Sequence, residues 1–224
     1  MQKYIAALGR RSEFAIVVLF AFGDPIVHSL WIAAHPTTAP HHTDFSLRLL
    51  VVIELILLGG LGGFLYARGW TLKSVGLEVT AIDTLIGIGL AVLSYIVYVF
   101  AWAAFAIAWP QGPELAARFQ FATPGIALGT VIVASTVNPL FEELFVTGYV
   151  MTALKRMGRE QLAFNASVGI RLTYHLYQGV LSVLSILPLG LICAFWYART
   201  GRLWPLIVAH AFMDFVALMQ FVAR

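Results

Sequence analysis

Seven stretches of about twenty apolar residues dominate the chain, and each could cross ~30 Å of hydrocarbon as a helix rising ~1.5 Å per residue. They run Phe14–Ala34, Phe45–Ala67, Ile82–Trp109, Pro124–Val150, Leu162–Gln178, Val180–Ala198 and Trp204–Val222. Only 11% of the 224 residues are charged and 60% are hydrophobic, whereas a soluble domain carries about 25% charged residues. The expected fold is an all-α polytopic transmembrane bundle of about seven spans. The fifth and sixth spans are the least clearly separated. "HLYQGVLSVLSILPLG" could bend at Gly179 or Pro188 instead of making a clean turn.

The net charge of +3 comes without any Lys/Arg run. Basic residues stand in short clusters between the apolar stretches, as topology determinants do, and not as a nucleic-acid surface. With the N-terminus inside, the inner segments hold Lys3, Arg10, Arg11, Arg68, Lys73, Lys155, Arg156, Arg159, Arg199 and Arg202. The outer segments hold Arg48, Arg118 and Arg224, and Arg171 falls inside a span. This bias predicts an integral protein of the cell membrane with its N-terminus in the cytoplasm. Lys3, Arg10 and Arg11 ahead of the first span resemble a signal-peptide n-region. Its apolar run of 21 residues exceeds the ~7–15 of a cleaved signal, which favours an anchor or plain span.

Cys193 is the lone cysteine, so no intrachain disulfide and no cysteine cage can form. The segment "RGWTLKSVGLE" reads as interfacial, with Trp70 and Leu72 alternating with Arg68 and Lys73. The loop "HPTTAPHHTD" carries His35, His41 and His42. With nothing apolar to hold them, they read as a solvated outer loop and not a metal site.

An ionisable group inside a span costs about 2.5–3.5 kcal/mol on insertion scales and usually faces the bundle interior or a water-filled cavity. The last four spans concentrate such groups: Glu142 and Glu143, Arg171 and His175, His210 and Asp214. The first three hold Asp24, His28, Glu54 and Asp83. His210 and Asp214 share a helix face at i,i+4, as do Arg171 and His175. Glu142 and Glu143 diverge by ~100° around their helix, so one is expected to face a cavity and the other a structural partner. Pro139 cannot donate to the Ser135 carbonyl, which should kink or open the helix and leave that depth hydrated. Glutamates and histidines meeting in a wet pocket suit hydrolysis. A carboxylate can take a proton from water, and histidines can donate to a developing oxyanion or hold a divalent ion. The same groups suit an interhelical network that only locks the bundle. Asp24 and His28, beside Pro25, read as a local pair bracing a kink, and Glu54 has no assigned role. Tyr174, Tyr177 and Gln178 surround His175, to orient it or to line a groove. The glycines of "GGLGG" (59–63) allow close helix approach.

"EELFVTG" resembles the first motif, Glu-Glu-x-x-x-Arg, of the CPBP intramembrane proteases, which include the type II CAAX prenyl endopeptidases and bacteriocin-processing relatives. "RLTYH" (171–175) resembles their second motif, Phe-x-x-x-His, and "HAFMD" (210–214) their third, His-x-x-x-Asn/Asp. The likeness covers 120–223 well and the first half loosely. It divides the chain into N-terminal helices with the interfacial segment (1–119) and a catalytic helical core (120–224), with an active-site cavity between spans four, five and seven. It implies an endopeptidase that hydrolyses a membrane-associated peptide or protein, with membrane lipid as surroundings and no nucleic acid. Glu142 would activate water with help from His175, His210 and Asp214 would stabilise the oxyanion, and Glu143 would be structural or secondary. Glu142, His175 and His210 match a His₂Glu set for zinc or another divalent metal, and equally a metal-free glutamate–water mechanism.

Two departures from the family pattern stand together: Thr147 replaces its Arg and Arg171 replaces its Phe. If Arg171 projects toward the fourth span, it supplies the missing cation to Glu143. A catalytically silent relative that binds a membrane partner, such as a bacteriocin immunity protein, is the rival that Thr147 favours. A proton- or ion-coupled transporter is a second rival, which would predict symmetry between halves, whereas the polar residues concentrate in one half. On these span limits His175 and His210 meet only if the fifth span starts later than Leu162 or the seventh is deeply set.

Overall fold

The computed structural model describes residues 8–35, 42–112, 122–179 and 182–222. Lys3, His41, Arg118 and Arg224 lie outside the described residues. Within them the chain forms seven helices and no strand: α1 Arg10–Ala34, α2 Asp44–Ala67, α3 Ala81–Ala108, α4 Leu128–Arg156, α5 Glu160–His175, α6 Ser182–Thr200 and α7 Trp204–Met219. Local chemistry explains several of the ends. Thr43 and Ser46 form a reciprocal capping box at the start of α2, and the Thr80 hydroxyl accepts the Asp83 amide at the start of α3. Lys155 and Arg156 complement the carboxyl end of α4.

Five helices, α1 to α4 and α6, are long and apolar enough to cross a membrane. The fold is a helical membrane bundle. The expected fifth and seventh spans are helices of 16 residues each, about 24 Å long at ~1.5 Å per residue. α5 is short and polar at its start, "EQLAFN". The ambiguous fifth-to-sixth connection resolves at Gly179, where φ is +83° after a short 3₁₀ turn, Leu176–Gln178. Pro188 lies within continuous α6.

α4 runs through the middle. α2, α5 and α7 pack along it, α1 lies against α5, α6 backs α5 and α3 backs α7. Its span window is 56% buried, against 11% for α3, so α4 is the core helix and α3 offers its apolar surface to lipid. Trp70 of the segment before α3 turns its ring into the bundle. It is buried against Tyr149 of α4, with ring centroids 4.8 Å apart, while Leu72 is exposed.

The level at which α7 begins answers how His175 and His210 can meet. Glu142 lies about 21 Å from the carboxyl end of α4, whereas His210 lies only about 9 Å into α7. α7 therefore starts some two turns deeper than α4 ends. A Cβ on Gly148 would stand 3.1 Å from a Leu203 methyl and 3.3 Å from Val75 Cβ, which puts the start of α7 level with Gly148. The segment before α3 props it there. The Leu203 amide donates to the Gly76 carbonyl at 2.9 Å, and the Tyr197 hydroxyl donates to the Val75 carbonyl at 3.0 Å. The seventh span is deeply set, the second of the two conditions stated above.

Gly76 has φ +72°, and a Cβ there would fall on the Gly201 carbonyl. Gly69 has φ +84° with open space around it. Gly69→Ala should cost about 1 kcal/mol of backbone strain. Gly76→Ala should add a backbone clash and cost at least about 2–3 kcal/mol, read as a larger fall in thermal midpoint of the detergent-purified protein. Equal effects of the two would contradict the contact that sets the depth of α7.

Candidate active site

The site begins with an irregularity in α4. After Pro139 the helix widens into a π turn over Glu143–Tyr149, where the Val150 amide reaches the Phe145 carbonyl five residues back. Wide turns of this kind are frequent at functional sites. The two adjacent carboxylates leave α4 at its most buried level: Glu143 is 0% and Glu142 6% exposed.

Arg171 of α5, itself 2% exposed, reaches both acids with its planar fork. Its Nη2 donates to Glu143 Oε1 at 2.6 Å, and Nη1 lies 3.4 Å from Glu142 Oε2. The Thr147 hydroxyl donates to the other Glu143 oxygen at 2.7 Å and lies 3.4 Å from Arg171 Nη2. Where the motif has its own arginine, this chain has a hydroxyl that completes the solvation of Glu143, while the cation arrives from α5. Gly190 of α6 makes room for it, since a Cβ there would lie 3.1 Å from Arg171 Cδ.

Glu142 has a different company. The Tyr174 hydroxyl donates to Oε2 at 2.5 Å, and its ring stacks on Phe22 of α1 at 5.4 Å. Asn138, one turn earlier on α4, donates to Glu142 Oε1 at 3.3 Å and to Glu54 of α2 at 2.7 Å. His175 Nε2 stands 3.8 Å from Glu142 Oε1, and His210 Nε2 stands 4.0 Å from Oε2. Both gaps exceed a direct hydrogen bond.

His210 is clamped on two sides. Its Nδ1 lies 2.8 Å from Glu143 Oε1, which assigns the Nδ1 hydrogen to that carboxylate and turns Nε2 toward Glu142 and Asp214. Asp214 Oδ1 is 3.4 Å from Nε2. Glu143 thus holds Arg171 and orients His210. His175 and Asp214 form the more open rim, with side chains 13% and 28% exposed, against 6% for His210. Beyond His175, the Gln178 amide donates to the Tyr177 hydroxyl at 3.0 Å, and that hydroxyl bonds His42 at 3.0 Å.

All six residues singled out in the motifs meet here: Glu142, Glu143, Arg171, His175, His210 and Asp214. Sequence reading missed Tyr174 and Asn138 as direct partners of Glu142. Both carried a spacing signal, because Tyr174 is i+3 from Arg171 and Asn138 is i−4 from Glu142, on the same helix faces. Asp24 and His28 do not join the site. Both are exposed on α1, and the expected brace between them is absent among the described contacts.

Among the described residues, no group of three His, Cys, Asp or Glu side chains is arranged to hold a metal ion. His175 and His210 approach opposite oxygens of Glu142 from 3.8 and 4.0 Å. One of those oxygens already carries Tyr174 and faces the Arg171 cation at 3.4 Å. A zinc ion needs ligands at about 2.0–2.2 Å and would share that carboxylate with a guanidinium. In this arrangement the donor set does not fit a divalent metal.

Residues 123–216, which contain α4 to most of α7, match the family model "Type II CAAX prenyl endopeptidase Rce1-like". The chain carries an Rce1-like domain. The family of that model is one of CAAX-type intramembrane proteases, and the helices around the match are long and apolar enough for a membrane bundle. No curated protein and no solved structure matches the chain. Every residue of the carboxylate–imidazole cluster falls within the Rce1-like match. Glu54, reached through Asn138, does not.

The cation's origin on α5 is open to a stability test. Arg171→Phe should cost about 3–5 kcal/mol, because it leaves buried acids unpaired. Adding Thr147→Arg, which moves the cation onto α4, should recover most of that loss in thermal midpoint. Full stability of Arg171→Phe alone would contradict the pairing.

Proposed function

We propose that the Rce1-like domain is an active intramembrane endopeptidase in which Glu142, without a metal, activates the water that attacks the scissile carbonyl. The observation that carries this reading is the split between the two acids. Glu143 is fully engaged by Arg171, Thr147 and His210, while Glu142 keeps an oxygen facing His175 across 3.8 Å. A water bonded to both Glu142 Oε1 and His175 Nε2, off the line between them, would be held and polarised for proton transfer to the carboxylate. Tyr174 and Arg171 keep the carboxylate aimed and ionised through charge-assisted bonds.

His210 is the group for the developing oxyanion. Donating from Nε2 while Nδ1–H stays on Glu143 requires a cationic ring. Glu143 and Asp214 flank it as counter-charges. Asp214 therefore acts through His210, as a positioning residue, and does not touch the oxyanion itself. The substrate class is a membrane-associated peptide or protein, reaching the cluster from the His175–Asp214 rim. The cell membrane is the site of action, with the amino terminus in the cytoplasm as the distribution of Lys and Arg indicates.

Glu142→Gln preserves shape and hydrogen bonding but removes the base. Cleavage should fall by about 10²–10⁴-fold with the thermal midpoint nearly unchanged. Comparative proteomics of membranes containing either form should show a peptide that accumulates uncut with Glu142→Gln. Identical peptide profiles would favour the silent, partner-binding relative. Cleavage by the wild type should survive chelation of divalent ions. Loss on chelation and recovery with added zinc would restore the metal reading.

A further inference from the structure

Where α1 begins and α4 ends, about 21 Å along α4 from Glu142 at ~1.5 Å per residue, lies a notch of about 190 Å³ lined by Arg10, Glu13, Arg68, Trp70, Ala153 and Arg156.

 It shares no residue with the carboxylate–imidazole cluster. Its floor is polar and complete. Glu13, 5% exposed, accepts from Arg68 Nε at 2.7 Å, from Trp70 Nε1 at 2.9 Å and from the Tyr149 hydroxyl at 3.3 Å. Arg68 is thereby neutralised, and it also donates to the Leu8 carbonyl at 2.7 Å.

Two cations are left over. Arg156 lies flat on the Trp70 ring, 4.0 Å from its centroid, so its face is used and its N–H edge is not. Arg10 spends one nitrogen on the Arg156 carbonyl at 2.9 Å. Neither has a carboxylate partner among the described residues. The first turn of α1, which carries Arg10 and Glu13, has no side-chain cap on its amides, adding partial positive charge at the same place. Two unneutralised guanidiniums and a helix start around a preformed notch, at the depth where a helix enters the membrane, match one chemistry. We infer that the notch binds a phosphate group, carried by an anionic lipid headgroup or present as free phosphate. Arg10 and Arg156 supply the paired N–H donors, and the Glu13–Arg68–Trp70 floor keeps their separation. Bound there, the phosphate ties the start of α1 to the end of α4, the helix that carries Glu142 and Glu143.

The test uses the full chain, purified and placed in phosphatidylcholine nanodiscs, with thermal unfolding and native mass spectrometry as readouts. Adding phosphatidylglycerol should raise the thermal midpoint and leave retained lipid on the protein. Affinity should drop about fivefold for each arginine removed in Arg156→Gln and in Arg10→Gln with Arg156→Gln. Exchanging both for lysine should keep most of it. Arg159→Gln, at the same membrane end but outside the notch, should bind as wild type. A response to inorganic phosphate without one to phosphatidylglycerol would support the site and assign it to the free anion. The proposal is overturned if wild type responds to neither, if the glutamine variants bind as tightly as wild type, or if Arg159→Gln weakens binding as much as they do. Should the double variant not fold, Arg156→Gln compared with Arg156→Lys gives the same decision.

Discussion

The buried contact between Arg171 and Glu143 is the constraint on which the rest of the core depends. Both groups are almost wholly removed from solvent, and each would be strongly destabilising alone. Their 2.6 Å contact joins α4 to α5, and the same carboxylate orients His210 on α7. One acid therefore fixes the relative positions of three helices. Its neighbour Glu142 is left with partners that aim it, Tyr174 and Asn138, and with imidazoles that stop short of direct bonding. The division of roles between adjacent acids follows from the directions in which they leave the helix and from how many donors each direction meets.

Depth is the second constraint. A bundle in which every helix began at the same level would hold His210 more than two turns from Glu142. The Val75–Gly76 segment and the turn before Trp204 lift α7 into register, and the missing side chains at Gly76 and Gly148 leave room for the approach. The segment that precedes α3 thus sets the depth of His210, and with it the shape of the carboxylate–imidazole cluster. The first half of the chain contributes in other ways too: Phe22 stacks on Tyr174, and Glu54 reaches Glu142 through Asn138.

Much of the architecture was legible in the residues. Seven apolar stretches became seven helices, and the motif spacing picked out the six groups that meet. The linked departures at Thr147 and Arg171 pointed to a cation from α5, because a buried carboxylate needs a counter-charge from somewhere. What was not legible has physical reasons. α5 was read as an ordinary span, since the polar groups along one face and the apolar ones along another average to a tolerable hydropathy. The packing of Trp70 on Tyr149 was hidden, because alternation with basic residues looks the same whether the indole meets headgroups or a neighbouring ring. Asp24 and His28 share an i,i+4 spacing, but spacing places two groups on one face without obliging them to bond.

By itself, then, the order of residues determined a helical membrane protein and the short list of groups too costly to bury in lipid without a purpose, because hydrophobic length and the expense of burying charge are properties of local composition. The tertiary structure alone decided which carboxylate pairs with Arg171, how deep α7 starts, that Tyr174 and Asn138 serve Glu142, and that the histidines approach its opposite oxygens. Those are separations of a few ångströms between side chains dozens of residues apart, set by close packing around a widened turn of α4, and no local pattern encodes them.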